Sequence, residues 1–190
     1  MYIEGYFQSE KYYKWSLQSL LKEFSFKKNI MNQKVETIKK LKESNSVSIH
    51  LRQNKFLKDE KHRNLNTLNL EFINNNVSLI KKGIKYFDNK LDNPQYFLWS
   101  NNFSDVKSLL PTNRITFMDE NLNKDPAYDL YLMSLCKHFI LSPSTMHYWA
   151  ALLSKNKEKI CIGPTKIKNT SGYYGFSNNE DIKPDWWQEI

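Results

Sequence analysis

The sequence predicts an α/β protein built on a mostly parallel sheet. Two observations carry this reading. Five short apolar runs read as buried strands: 46–51 (SVSIHL), 96–99 (YFLW), 114–117 (RITF), 138–141 (HFIL) and 159–162 (KICI). Segments with apolar residues at helical spacing lie between most of them, joined by short turns. Strands that alternate with helices are linked by crossovers, and crossovers place neighbouring strands in parallel.

The elements follow in order. Residues 1–27 are expected to be a helix after a short entry, with Trp15, Leu17, Leu20, Leu21 and Phe24 as its apolar stripe. Residues 32–43 (NQKVETIKKLKE) predict a second, very polar helix. After the first strand, Leu70, Ile73, Val77, Ile80 and Ile84 recur at spacings of 3, 4, 3 and 4, which is one helix face. Residues 103–110 predict a short helix that stops before Pro111. Residues 129–137 predict another, with Leu132, Leu135 and Cys136 on one side. Residues 145–154 (TMHYWAALLS) form a helix begun from Ser142-Pro143-Ser144. Residues 166–190 are polar and turn-rich, and the adjacent Trp186 and Trp187 point to a tail docked back on the body.

Composition limits the function classes. The chain has 190 residues, 40% hydrophobic and 25% charged, which suits one sizeable core and excludes collagen, a disulfide scaffold and a wholly disordered chain. No apolar run reaches the roughly 18 residues that a membrane span needs. The opening MYIEGYFQSEKYYKW has neither the apolar core nor the cleavage site of a signal peptide. Cys136 and Cys161 sit in apolar contexts and read as buried thiols of a reducing cytoplasm, with a metal or redox pair or a disulfide as alternatives. The net charge of +8 favours an anionic partner, although the lysines are scattered and a compositional bias explains them equally well. Glycine is scarce, and neither GxGxxG nor GxxxxGK[ST] is present. No motif of metal-ligand spacing occurs, and no Ser/His/Asp or Cys/His pattern has supporting context.

Three segments can carry chemistry. His50 and Arg52 fall at the carboxyl end of the SVSIHL strand, where open parallel sheets bind ligands, and their spacing puts them on one face. Arg binds phosphate oxygens through two hydrogen bonds, so the pair suits a phosphate or pyrophosphate. A surface ion pair and a strand cap are the structural alternative. Ser144 and Thr145 stand at a strand-to-helix junction, where free backbone N–H groups attract anions, and a plain helix cap is the alternative. His147 lies one turn into that helix, where it could face the ligand, and His138 reads as structural. Asn101 and Asn102 follow the YFLW strand and can read a base or a sugar hydroxyl, or simply turn the chain. Asp59 and Glu60 are the carboxylates closest in sequence to this rim.

Several blocks in order resemble the glycosyltransferase family 11 fucosyltransferases, the α-1,2-fucosyltransferases that use GDP-fucose. GYFQSEKYY (5–13) is similar to the family's GYFQSEKYF, and SIHLR (48–52) to its strand ending in HxRRGDY. YFLWSNN (96–102) resembles FxxFSDD. DLYLMSLCKH (129–138) with STMHYWA (144–150) resembles DLxLMSxCxHxIxxNSTFSWWxAxL, and KICIGP and DIKPDWW fit its ending. The chain departs at HLRQNKF, WSNN and PSTMHYW, all in motifs that face the nucleotide.

The resemblance implies the donor-binding lobe of a two-lobed, GT-B-type enzyme with Rossmann-like domains. Residues 1–44 would then be a helical connector or remainder of the amino-terminal lobe. Residues 45–190 would be the nucleotide-sugar-binding domain with its docked tail. It implies an inverting α-1,2 transfer of fucose from GDP-fucose to a galactose-type hydroxyl of a glycan, with no metal and no cofactor. Arg52 would be catalytic and hold the donor pyrophosphate, and His50 would meet the nucleotide. Asn101 and Asn102 would contact guanine, and Ser144, Thr145 and His147 the phosphates. A cytoplasmic, peripheral place at the inner face of an anionic membrane agrees with the charge. The family's amino-terminal GGLGNQMFQYA segment has no counterpart here, so a non-catalytic or truncated nucleotide-sugar-binding remnant is the alternative. No nucleic-acid partner is expected, because basic clusters interleaved with aromatics are absent.

Overall fold

A computed structural model describes residues 9–31, 35–52, 65–103, 106–118, 125–142, 144–164 and 184–190. Among them, six parallel strands form one sheet: β1 (Asn45–Leu51), β2 (Pro94–Ser100), β3 (Ile115–Phe117), β4 (His138–Ile140), β5 (Cys161–Gly163) and β6 (Gln188–Glu189). Their order is β3-β2-β1-β4-β5-β6. This is the doubly wound, Rossmann-like arrangement. The chain winds outward from β1 to β3, then crosses to the other side of β1 to place β4. The sheet therefore changes winding direction between β1 and β4, and a crevice opens at their carboxyl ends.

Helices cover both faces. On one face, Val47, Ile49 and Leu51 of β1 pack with Tyr96 and Leu98 of β2 against α4 (Leu65–Lys90), through Ile73, Val77, Ile80, Ile84 and Phe87. Burial of each such side chain contributes about 1.5–3 kcal/mol. That outweighs the helix penalty of Asn74–Asn76, at most about 0.7 kcal/mol each. Asn76 also bonds back to the Phe72 carbonyl at 2.7 Å. Leu70, read as part of this face, is 61% exposed and so lies outside this core. Gly83 lets α4 approach β4: a Cβ there would lie 2.8 Å from Ile140 Cδ1.

On the other face, Phe97, Trp99, Phe139, Leu141 and Cys161 pack against α3 (Val35–Glu43), α6 (Pro126–Ser134) and α7 (Thr145–Leu153). Leu41, Tyr128, Leu132, Met133, Ala150 and Ala151 supply the helical side of this core. Both cysteines are buried, free thiols here, as read from their contexts. Burial raises both pKa values, that of Cys161 to about 12. The short α5 (Val106–Leu109) closes the β2–β3 crossover with Val106 buried.

Further expectations need correction. The amino-terminal stripe does not make one long helix. Two 3-10 turns, Glu10–Tyr12 and Lys14–Ser16, precede a seven-residue α1 (Leu17–Glu23), and Tyr13 lies between them outside helical geometry. No α1 side chain is fully buried and Trp15 is 85% exposed, so no core face holds a longer helix together. A one-turn α2 (Lys28–Met31) follows. Arg114 ends a 3-10 turn instead of opening β3. Its guanidinium grips both oxygens of Asp88 at 2.7 Å, and the Tyr96 hydroxyl donates to the same carboxylate at 2.7 Å. The carboxyl-terminal tail docks as read, but it does so by adding β6 to the sheet.

Trp187 covers Gly163 so closely that a Cβ on Gly163 would lie 2.1 Å from the indole Cε2. Gly163→Ala must displace this ring, an overpacking that typically costs about 1–3 kcal/mol. Urea unfolding should show that loss, and an unchanged midpoint would count against the docked tail.

Candidate active site

The crevice between β1 and β4 gathers most of the side chains singled out above. Strand alternation puts Val47, Ile49 and Leu51 on the α4 face, and Ser46, Ser48 and His50 on the opposite face. The Ser46 hydroxyl donates to the Leu41 carbonyl at 2.6 Å. Ser48 Oγ lies 3.0 Å from His147 Nε2. His50 follows, with its ring centroid 5.8 Å from that of His147. Arg52, exposed just past the strand, acts electrostatically on His50.

Across the switch point, β4 leads through Leu141 and Ser142 to Ser144, which caps α7. Its Oγ accepts the His147 N–H at 3.4 Å, and its carbonyl accepts the Tyr148 N–H at 2.9 Å. The Ser144 N–H itself donates to the Ser142 carbonyl at 2.7 Å. Thr145 is exposed there. The two sites read separately, His50–Arg52 and Ser144–Thr145, thus border one crevice, because β1 and β4 are hydrogen-bonded neighbours. Asn101 and Asn102 stand on the far side of β1, past the end of β2. The Ser100 hydroxyl donates to the Asn102 carbonyl at 2.7 Å and so shapes their turn.

His147 is the exception. It is fully buried beneath His50, bonded to Ser48 and packed 6.0 Å from the Phe139 ring. Its place is the floor of the crevice and not the contact surface expected from its helix position, because that position turns it toward the sheet. His138 is structural as read: its Nδ1 accepts the Ile160 N–H at 3.2 Å. Asp59 and Glu60 lie outside the described residues.

Sequence reasoning missed the polar character of the interior at this end of the sheet. His50 Nδ1, His147 Nδ1, Trp99 Nε1 and Ser142 Oγ are all buried without a hydrogen-bond partner. Trp99 is the register partner of His50 on β2. Each such atom costs about 1–3 kcal/mol, and folds tolerate that cost chiefly where function needs polar groups. Ser48 had a legible signal, its two-residue spacing from His50. Trp99 and Ser142 had none beyond their places at strand ends.

The electrostatics are consistent. Burial, with Arg52 beside it, lowers the His50 pKa to about 4, so the imidazole is neutral at pH 7. Burial lowers that of His147 well below its ordinary value, and His50 adds to this. Arg52 and the α7 N-terminus are then the positive elements of the rim.

The family model of glycosyl transferase family 11 matches residues 1–189. The chain belongs to that family. No curated protein and no solved structure matches it. This chain of glycosyl transferase family 11 is therefore a glycosyltransferase, with a nucleotide-sugar donor and a glycan acceptor as its partners. Among the described residues of this glycosyltransferase, no helix is long and apolar enough to cross a membrane.

The buried histidines set an acid limit. His50 and His138 have folded pKa values near 4 against 6.5 for the free group, and burial holds that of His147 well below 6.5. Below pH 6.5 the unfolded chain therefore binds more protons than the folded one, so stability is full above 6.5 and falls as pH drops toward 4. Asp129, raised to about 6 by burial and by Asp125, acts in the opposite sense between 3.8 and 6. Three groups oppose one, so urea midpoints should fall between pH 7 and pH 5. His50→Gln should flatten that fall, and an equal slope in the variant would show that His50 does not set the limit.

Proposed function

We propose that this glycosyltransferase moves fucose from GDP-fucose to a galactose-type hydroxyl of a glycan, in α-1,2 linkage, with inversion and without metal or other cofactor. The observation that carries the reading is the convergence of Arg52, His50 and the α7 N-terminus on one crevice. A nucleoside diphosphate leaving group gains negative charge as the sugar–oxygen bond breaks. A guanidinium and a helix N-terminus at the rim answer that charge. Arg52 is the catalytic group in this reading, and His50 and Arg52 bind the donor. Ser144 and Thr145, where α7 begins, contact its phosphates. Asn101 and Asn102 meet the base from the β2 side, and His147 supports His50 from below. Residues 45–190 would form the donor-binding domain and residues 1–44 a connector. The +8 charge supports a cytoplasmic, peripheral place at an anionic membrane, where lipid-linked acceptors lie.

Thermal unfolding with and without GDP tests the donor site. A ligand that binds the folded state stabilises it by about 2.7 kcal/mol at a hundred times its dissociation constant. GDP should raise the midpoint of the wild type, and Arg52→Ala should abolish the rise while keeping the wild-type midpoint without ligand. Transfer should drop about 100- to 1000-fold in that variant, the usual cost of one oriented transition-state donor. Unchanged turnover would remove the central assignment. Stabilisation by UDP in place of GDP would move the donor class, and stabilisation by neither would favour a non-catalytic remnant. Asn101→Asp and Asn102→Asp should change the ratio of GDP to UDP affinity, and an unaltered ratio would take both residues out of base recognition.

A further inference from the structure

The described surface holds an aromatic assembly that the donor crevice does not use. Phe24 stacks on Trp149, with centroids 4.9 Å apart and planes 10° apart, and Tyr13 lies 5.7 Å from the same indole. Tyr148 extends the row to Trp186, at 5.4 Å. Three separate stretches of chain thus supply one continuous surface: the amino-terminal turns, α7 and the carboxyl-terminal tail. It is not a core. Phe24 is 47% exposed and the other four rings are partly exposed.

Its edge is polar. The hydroxyls of Tyr13 and Tyr148 are hydrogen-bonded to each other. Lys14 reaches Asp185 at 2.7 Å and Glu10 at 3.6 Å, so both charge signs stand beside the rings. Rings next to hydroxyls, carboxylates and an ammonium match the two sides of a pyranose. The ring face is electron-rich and meets the slightly positive C–H face of a sugar. The rim groups donate to and accept from sugar hydroxyls.

Position adds the decisive point. Tyr148 and Trp149 lie three and four residues into a helix whose first residue, Thr145, is at the donor rim. At about 1.5 Å per residue, that is an axial distance of some 4.5–6 Å, about the width of one sugar ring. An aromatic surface this close to a donor site is placed to hold the second substrate.

Resting on the glycosyltransferase reading, we propose that Phe24, Trp149 and Tyr13, with the Tyr148 hydroxyl at their edge, form the acceptor platform, which takes a galactose-type pyranose by stacking on its C–H face.

Saturation-transfer NMR with lactose as the probe, in the presence of GDP, tests this on the full chain. Wild type should transfer saturation to the galactose ring protons. Trp149→Leu and Phe24→Leu should each weaken lactose binding about tenfold, the loss of one good stacking contact. GDP binding should stay unchanged in both. Phe24→Leu changes a side chain that is half open to solvent, so it carries the test if Trp149→Leu fails to fold. Lactose binding that survives in Phe24→Leu, or that is absent from the wild type, overturns the proposal. Parallel loss of lactose and GDP binding in Phe24→Leu also overturns it, because the rings would then be a structural clamp. A wild type that binds lactose through these rings but does not bind GDP upholds the platform and refutes the donor reading instead.

Discussion

The hydrogen bond between Ser48 on the central strand and His147 on α7 ties the two halves of the sheet together where they change direction. β1 is covered by helices on both faces, so a polar side chain on it must find a partner or cost about 1–3 kcal/mol. Ser46 finds the Leu41 carbonyl and Ser48 finds His147. The second bond fixes more than a side chain. His147 sits in the first turn of α7, and its own N–H is capped by Ser144. Locking its imidazole against β1 therefore aims the helix N-terminus at the crevice and sets the floor on which His50 rests.

The placement of charge follows from that arrangement. The histidines at the site are held neutral by burial, while Arg52 stands outside the core. Positive character is confined to a guanidinium and a helix end, both at the rim. A nucleotide-sugar donor carries negative charge, and positive groups at a rim above a neutral interior suit such a ligand. The overall charge of +8 adds attraction at long range, which salt screens, and does not orient the ligand.

The strands were legible because apolar and β-branched or aromatic residues crowd into runs of four to six between turn signals, as in YFLW and SVSIHL. The α4 face was legible from Ile73, Val77, Ile80 and Ile84, whose steps of 4, 3 and 4 match the helical period and break the alternation of a strand. The amino-terminal stripe had equally good spacing and misled. Periodicity shows which residues would share a face, and only a partner surface turns that face into a core. Trp15 met none and is exposed, whereas Tyr13 and Phe24 found Trp149, far away in the sequence. β6 was illegible for a related reason, since a two-residue strand takes its identity from its neighbour β5.

By itself the sequence determined the alternation of strands and helices, the buried character of both cysteines, the cap at Ser144 and the presence of His50 and Arg52 at a strand end. These are local properties, set by period, propensity and the chemistry of adjacent residues. Tertiary structure decided which strand ends adjoin, that His147 turns inward to Ser48, that Trp99 brings an unpartnered indole beside His50, and that rings from three distant stretches meet beside α7. Each of these depends on strand order. The crossover that places β4 beside β1 brings together residues more than 90 positions apart, as in the pairing of Ile49 with Ile140, and no local signal encodes that neighbour.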